Sequence, residues 1–269
     1  MLSPSSLPIS SGEGRPPADL IVSAVSVLYS RTVRAVDELS FSVGKGEIVA
    51  LLGPNGAGKS TTLRALTGFL PGDRAQVVGG SIRFQGQELG SLPPHRTSRA
   101  GISLTAERDK IFATLTVEEN MRIGGRANPR RADTAALTGF VFDLFPILRE
   151  RYKQRAGYLS GGERQMLAIA TALLSGPKLL LVDELSLGLA PRIVSELSKV
   201  LLEVNRERKM TILLVEQSAA VAFSIAQYVY VLNLGRVTAE GRPSDLRSRQ
   251  DFSHSYMGTG RAHGDTGTP

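Results

Sequence analysis

Gly53-Pro54-Asn55-Gly56-Ala57-Gly58-Lys59-Ser60 fits the spacing G-x-x-x-x-G-K-[ST]. Glycines at these positions let the backbone curl so that its N–H groups face inward. Those donors, together with the N-terminus of a following helix, suit an anionic phosphate. In such a loop the Lys59 ammonium reaches the β- and γ-phosphates, the Ser60 hydroxyl ligates Mg²⁺, and Thr61 leads on into the helix. A second constellation is the apolar run Leu179-Leu180-Leu181-Val182 ending in Asp183-Glu184. Beside a phosphate loop, an Asp at such a strand end holds Mg²⁺, and Glu184 is then placed to polarise an attacking water. Taken alone, the acid pair reads equally well as a helix cap after a strand. A third is Leu159-Ser160-Gly161-Gly162-Glu163-Arg164-Gln165. Ser160 and Glu163 have capping-box spacing. The two glycines each cost about 1 kcal/mol of helix propensity relative to Ala, which a cap does not require and close approach of a ligand to the backbone does.

These groups need a scaffold. Ile48–Leu52 is a short apolar run ending in glycine, which predicts a buried strand, and Lys59–Phe69 follows as a helix. Asp19–Tyr29, Val33–Val43, Ser81–Phe84, Gly101–Thr105, Leu179–Val182, Thr211–Val215 and Tyr228–Leu232 are further predicted strands. Val117–Arg126, Thr134–Phe145, Ser160–Leu174, Pro191–Arg208 and Ser218–Ala226 are predicted helices, with Pro191 at a first helical position. Strands alternating with helices predict an α/β fold with a mainly parallel sheet. The strands before residue 50 precede any helix and predict an added antiparallel layer. The mostly helical stretch 113–158 predicts an inserted helical subdomain, taken to about residue 175 with the helix that follows.

The chain has 269 residues, no cysteine, and 32 Lys plus Arg against 25 Asp plus Glu, a net charge of +7. Disulfides and thiol-ligated metals are excluded. No apolar run approaches the ~18–20 residues that span a bilayer. Residues 1–17 are rich in Ser, Pro and Gly and carry no basic and apolar leader pattern, so a cytosolic location is expected unless a partner holds the chain elsewhere. Residues 1–17 and 253–269 are expected to be disordered tails around one domain at 18–252. The charge is compatible with nucleic acid, an anionic membrane or no specific partner. Arg122, Arg126, Arg130 and Arg131 cluster, as do Arg149, Arg151, Lys153 and Arg155. Each cluster reads as a solvated helical face or as contact with lipid heads or a membrane protein.

The phosphate loop, the LSGGERQ turn and the apolar strand ending in Asp-Glu, in this order, resemble the ATP-binding subunit of an ABC transporter over about residues 19–250. The resemblance implies a RecA-like P-loop NTPase core with an antiparallel β-subdomain and a helical subdomain. It implies ATP and Mg²⁺, and a head-to-tail pair with a second ATPase subunit, identical or different. Each ATP would lie between one chain's Gly53–Thr61 and the other chain's Ser160, Gly161, Gly162 and Glu163. It further implies integral-membrane permease subunits, a periplasmic or lipid-anchored solute-binding protein, no nucleic acid, and a peripheral position on the cytoplasmic side of the membrane. Tyr29 matches the aromatic that stacks on adenine, Glu107 falls at the Q-loop that touches Mg²⁺, and Gln217 stands where most members place a histidine near the γ-phosphate.

Leu115-Thr116-Val117-Glu118-Glu119-Asn120, Ser186-Leu187-Gly188-Leu189-Ala190-Pro191 and Leu214-Val215-Glu216-Gln217 resemble the branch that takes up branched-chain amino acids; ATPases of urea and short-chain amide importers are closely similar. Three departures stand out: Leu185 in place of a proline, Ala106-Glu107-Arg108-Asp109 in place of Pro-Glu-Gly-Arg, and Thr171 in place of an arginine. Losing the proline frees the backbone after Glu184, so a looser carboxylate and slow hydrolysis are expected. Two other readings are an ATPase acting on nucleic acid or ribosomes, and a weakly hydrolysing nucleotide-gated module. The compact single half and the absence of an RNA-reading aromatic motif oppose the former, and the intact Asp183-Glu184 pair opposes the latter.

Overall fold

The computed structural model of the protein describes residues 14–70, 74–90, 92–105, 111–128 and 133–248. Four antiparallel strands, β1 (Ala18–Tyr29), β2 (Val33–Gly44), β4 (Ala75–Phe84) and β5 (Gln87–Glu88), form one sheet in the order β2-β1-β4-β5. The second sheet contains β3 (Ile48–Leu52), β6 (Ile102–Thr105), β7 (Leu179–Asp183), β8 (Thr211–Glu216), β9 (Tyr228–Asn233) and β10 (Arg236–Gly241). Its order is β10-β9-β3-β8-β7-β6, parallel throughout except for β10 on the edge.

The apolar runs of β3, β7 and β8 follow from burial on both faces. Ile48, Ala50, Leu52, Leu180, Val182, Ile212 and Leu214 enter one core, beneath the helices α3 (Val117–Ala127), α4 (Thr134–Leu144), α6 (Gly161–Leu174), α7 (Pro191–Arg208) and α8 (Ala219–Ile225). Val49, Leu51, Leu179, Leu181, Leu213 and Val215 enter the other, between α1 (Lys59–Thr67) and the antiparallel sheet, where Leu63 and Leu66 meet Val27, Phe41 and Phe84. A strand buried on both faces has no polar side to show, so it reads as a continuous hydrophobic run. Among the described residues there are also three short α-helices, α2 (Pro94–Ala100), α5 (Pro146–Glu150) and α9 (Pro243–Arg247).

Expected and observed elements coincide closely, with instructive differences. The helix expected over Lys59–Phe69 ends at Thr67, because Gly68 at φ 78° closes it in the left-handed region. Ser160 is the cap of α6 and not its first residue. The strand expected at Ser81–Phe84 begins at Ala75. Its Gly79-Gly80 reads as a breaker. Gly80, at φ 80°, instead lets β4 pass the bulge of β1, where a Cβ would lie 2.3 Å from the Ser23 carbonyl oxygen.

Residues 14–17 also depart from the expected tail. Arg15 is nearly buried and forms a bidentate pair with Glu47, with Nε to Oε1 at 3.0 Å and Nη2 to Oε2 at 2.8 Å. It donates as well to the Ser42 carbonyl at 2.9 Å and to the Tyr230 hydroxyl at 2.9 Å, and lies 4.0 Å over the Tyr228 ring. This guanidinium therefore ties β2 and β9, one from each sheet, to the residue just before β3. Arg15→Ala would strand Glu47, which then keeps the Gly44 N–H as its donor. Breaking a buried pair this way costs about 3–5 kcal/mol, so a fall in Tm of about 10 °C is expected by calorimetry, with hydrolysis at low temperature retained. An unchanged Tm would show the clasp to be ornamental. Residues 1–13 and 249–269, and with them the rest of both expected tails, lie outside the described residues.

Candidate functional site

Because β3, β7 and β8 are parallel neighbours, their C-terminal ends open on one edge of the sheet, where α/β folds bind ligands. β8 lies in the middle and staples the other two. Gly53 N donates to the Glu216 carbonyl at 3.1 Å, and Glu184 N donates to the Val215 carbonyl at 2.8 Å. The phosphate loop leaves β3, Asp183 closes β7, and Gln217 follows β8.

The loop is shaped around its glycines. Gly58, at φ 103°, caps α1 with no side-chain bond to the first turn, and that turn carries no acidic residue. A Cβ on Gly58 would lie 2.7 Å from the Ala35 carbonyl oxygen, and one on Gly53 would lie 2.4 Å from that of Leu232. The helix end thus presents backbone N–H groups that no side chain of its own turn has taken, the arrangement that receives an anion. Lys59, 5% exposed, folds its Nζ back to donate to the carbonyls of Gly53 at 2.9 Å and Pro54 at 3.1 Å. The same Nζ is 3.5 Å from Glu184 Oε1. Two motifs more than a hundred residues apart in sequence therefore meet at one ion pair.

Glu184 sits at φ 46°, a left-handed conformation uncommon for a side-chain-bearing residue. The chain beyond it, where Leu185 stands in place of a proline, is packed and hydrogen-bonded. Leu185 is wholly buried in the helical-side core, and Ser186 donates from both N and Oγ to Glu216, at 3.0 and 2.9 Å. Ser218 N donates to the same carboxylate at 3.4 Å. Burial pushes the Glu216 carboxyl above the usual range, with the nearby Glu184 carboxylate acting in the same direction, against the pull of the Ser186 and Ser218 donors. Glu216 carries no role in the sequence reading. It appears there only within the Leu214-Val215-Glu216-Gln217 resemblance, one residue beyond the strand predicted over Thr211–Val215.

Tyr29 lies at the end of β1 with its hydroxyl 3.2 Å from Thr61 Oγ1 and 3.3 Å from an Arg64 donor, which seats the ring beside α1. Ser60 follows Lys59 in the first turn of α1, and Asp183 is buried at the end of β7. Ser60 and Asp183 offer oxygen donors alone, the set suited to Mg²⁺, which takes one or two protein ligands and completes its shell with phosphate and water. The described residues hold no cluster of three His, Cys, Asp or Glu side chains that would favour a different metal. Gln217 is exposed at the same sheet edge. Glu107 lies outside the described residues, as do Arg130 and Arg131.

The turn at Ser160–Glu163 is built against α7. Ser160 N donates to Glu163 Oε2 at 2.7 Å, and Glu163 N to Ser160 Oγ at 3.2 Å, completing the capping box. Those bonds hold the Glu163 carboxyl below its usual range. The two glycines prove unlike. A Cβ on Gly162 would lie 2.9 Å from Ile193 Cγ2, so packing constrains it. One on Gly161 would meet only Leu189 Cδ2, at an ordinary 3.6 Å. Thr171, in place of an arginine, lies where α3 crosses α6: a Cβ on Gly124 would come within 2.2 Å of its carbonyl oxygen. The Leu115–Asn120 motif is architectural too. Thr116 and Glu119 form a second capping box, and buried Asn120 bonds both backbone groups of Phe112.

Residues 36–186 match the ABC transporter family. The chain is 44% identical over 234 residues to the high-affinity branched-chain amino acid transport ATP-binding protein BraG of Pseudomonas aeruginosa, covering 87% of this chain and 97% of that protein. It is 38% identical over 221 residues to the probable branched-chain amino acid transport ATP-binding protein LivF of Archaeoglobus fulgidus, covering 82% and 91%. Among solved structures, the ADP conformation of an ATP-binding cassette of an ABC transporter superposes with a TM-score of 0.77 at 26% identity, covering 90% of this chain and 99% of that one.

Proposed function

The chain belongs to the ABC transporter family, and from that premise we propose that it binds and hydrolyses ATP to energise an importer of branched-chain amino acids. The observation that carries the hydrolytic part is the Lys59–Glu184 pair at 3.5 Å, which sets a phosphate-binding ammonium beside a carboxylate at the mouth of the parallel sheet. The loop Gly53–Thr61 wraps the phosphates through its backbone N–H groups. On nucleotide entry Lys59 exchanges its two carbonyl partners for β- and γ-phosphate oxygens. Tyr29 stacks on adenine, steadied by Thr61. Ser60 and Asp183, with Glu107, would hold Mg²⁺, which would supply positive charge against the phosphates of the nucleotide. Glu184 accepts a proton from the water that attacks the γ-phosphate in line, and Gln217 steadies the γ-phosphate from the end of β8.

Ser160, Gly161, Gly162 and Glu163 act on the ATP of a second ATPase subunit, identical or different. Gly161 supports this reading, since its own chain leaves room for a side chain there. Gly161→Ala is expected to lower ATP hydrolysis by at least about tenfold. The same change leaves Tm unchanged or raises it by about 1–3 °C through better helix propensity. Paired rate and calorimetry measurements check this; loss of both activity and stability would make the glycine a packing requirement.

Among the described residues no helix is long and apolar enough to cross a membrane. In this proposal the pore belongs to permease subunits, with this chain held at their cytoplasmic face and a solute-binding protein on the far side. Mild detergent extraction of native membranes tests the assembly. Recovery of the chain with multi-spanning membrane proteins is expected; recovery with RNA instead would overturn the assignment.

A further inference from the structure

We propose that Glu216 is a positioning residue for ATP hydrolysis, a carboxylate bracket that fixes Glu184 and Gln217 relative to each other and to the phosphate loop. Its side chain binds both sides of the site at once. Oε1 accepts from Ser186 N at 3.0 Å and Oε2 from Ser186 Oγ at 2.9 Å, which fixes the chain two residues beyond Glu184. Oε2 also accepts from Ser218 N at 3.4 Å, a bond that spans Gln217. Ser218 in turn caps α8 through Val221 N, so the bracket is continuous with a helix. Its main-chain carbonyl receives Gly53 N at 3.1 Å, at the first residue of the phosphate loop. One residue, 1% exposed, thus joins the ends of β3, β7 and β8.

A carboxylate suits this place chemically. All three of its partners donate, and an ionised carboxylate accepts only. Glu184 needs such support, since its backbone occupies a left-handed conformation and the side chain of its neighbour Leu185 is held by apolar packing. The bracket supplies the directional part. Glu216, 1% exposed, works through Glu184 and Gln217.

The inference rests on Glu184 being the base. The test measures kcat and KM for ATP of the full chain in complex with its permease, with nucleotide affinity measured separately. Glu216→Ala is expected to lower kcat by about 10–100-fold through misplacement of Glu184, while KM and ATP affinity stay within about twofold. Glu216→Gln is expected to recover part of the loss, because its amide oxygen still accepts from Ser186 N. In a Glu184→Gln background, Glu216→Ala should change the residual rate by less than about twofold, since both act on one step. If Glu216→Ala does not fold, Ser186→Ala removes one bond of the bracket and should show the same kcat-only loss and the same silence behind Glu184→Gln. Wild-type kcat in these variants, losses that multiply with Glu184→Gln, or a parallel loss of ATP binding would overturn the proposal. In that case a Glu184→Gln enzyme that is itself inactive leaves the site reading standing. Equal rates for Glu184→Gln and wild type would remove that reading first.

Discussion

Lys59→Ala abolishes ATP hydrolysis in the proposed mechanism, a loss of at least about 10²–10³-fold. The size follows from where the ammonium lies. Nζ is buried, bonded to the Gly53 and Pro54 carbonyls and 3.5 Å from Glu184. Water does not substitute well for a charge in such a place, because the low local dielectric strengthens each contact it makes. Alanine also removes the ammonium between Glu184 and the γ-phosphate, so charge spreading over the transferring phosphoryl group loses one of its counter-charges. The remaining loop N–H groups still bind phosphate, so ATP affinity should weaken far less than the rate. Phosphate release by the permease-bound complex, with nucleotide titration beside it, checks both; retained hydrolysis would refute the role of Lys59.

Glu184→Gln is the second large effect, a fall of about 10²–10⁴-fold in hydrolysis, the usual contribution of a general base. Glutamine keeps the shape and the Glu184 N–H bond to the Val215 carbonyl, and loses only basicity and charge. Removing that charge beside the γ-phosphate relieves repulsion with bound ATP. The variant should therefore collect as an ATP-bound dimer on size exclusion, where the wild type turns over. A variant that hydrolyses at the wild-type rate would place the base elsewhere, and one that forms no dimer would argue against the shared site.

Much of this was readable from sequence where burial on two faces wrote itself into the chain. Ile48–Leu52, Leu179–Asp183 and Thr211–Glu216 show apolar runs because both faces are covered, and the motifs at their ends locate the site. Edges and irregularities were harder to read. β10 is a polar edge strand paired on one side, and α2 buries Thr97 alone, so neither carries a hydrophobic period. The first half of β4 is hidden by Gly79-Gly80, whose purpose is visible only beside the β1 bulge. Arg15 looks like tail composition until Glu47 and Tyr230 are placed around it. Glu216 escapes for the same reason: its partners Ser186 and Ser218 lie on different loops, one of them thirty residues away. Linear spacing reveals a capping box such as Ser160–Glu163, whereas a bracket closed by the fold leaves no period to find.

Replacing a proline does free a backbone in the unfolded chain. In the fold, apolar burial of Leu185 and the Ser186–Glu216 bonds restore the restraint. Slow hydrolysis remains the expectation that a rate measurement on the permease-bound complex checks.

If ATP hydrolysis by this chain drives solute import, vesicles carrying the reconstituted complex couple the two. Leucine uptake and phosphate release are measured together, with ATP on the side of the ATPase subunits, for the wild-type and Glu184→Gln chains. Uptake that requires ATP and disappears together with phosphate release in Glu184→Gln is the predicted result. Phosphate release at the same rate from both complexes, or leucine uptake that continues when Glu184→Gln has stopped hydrolysis, would contradict it.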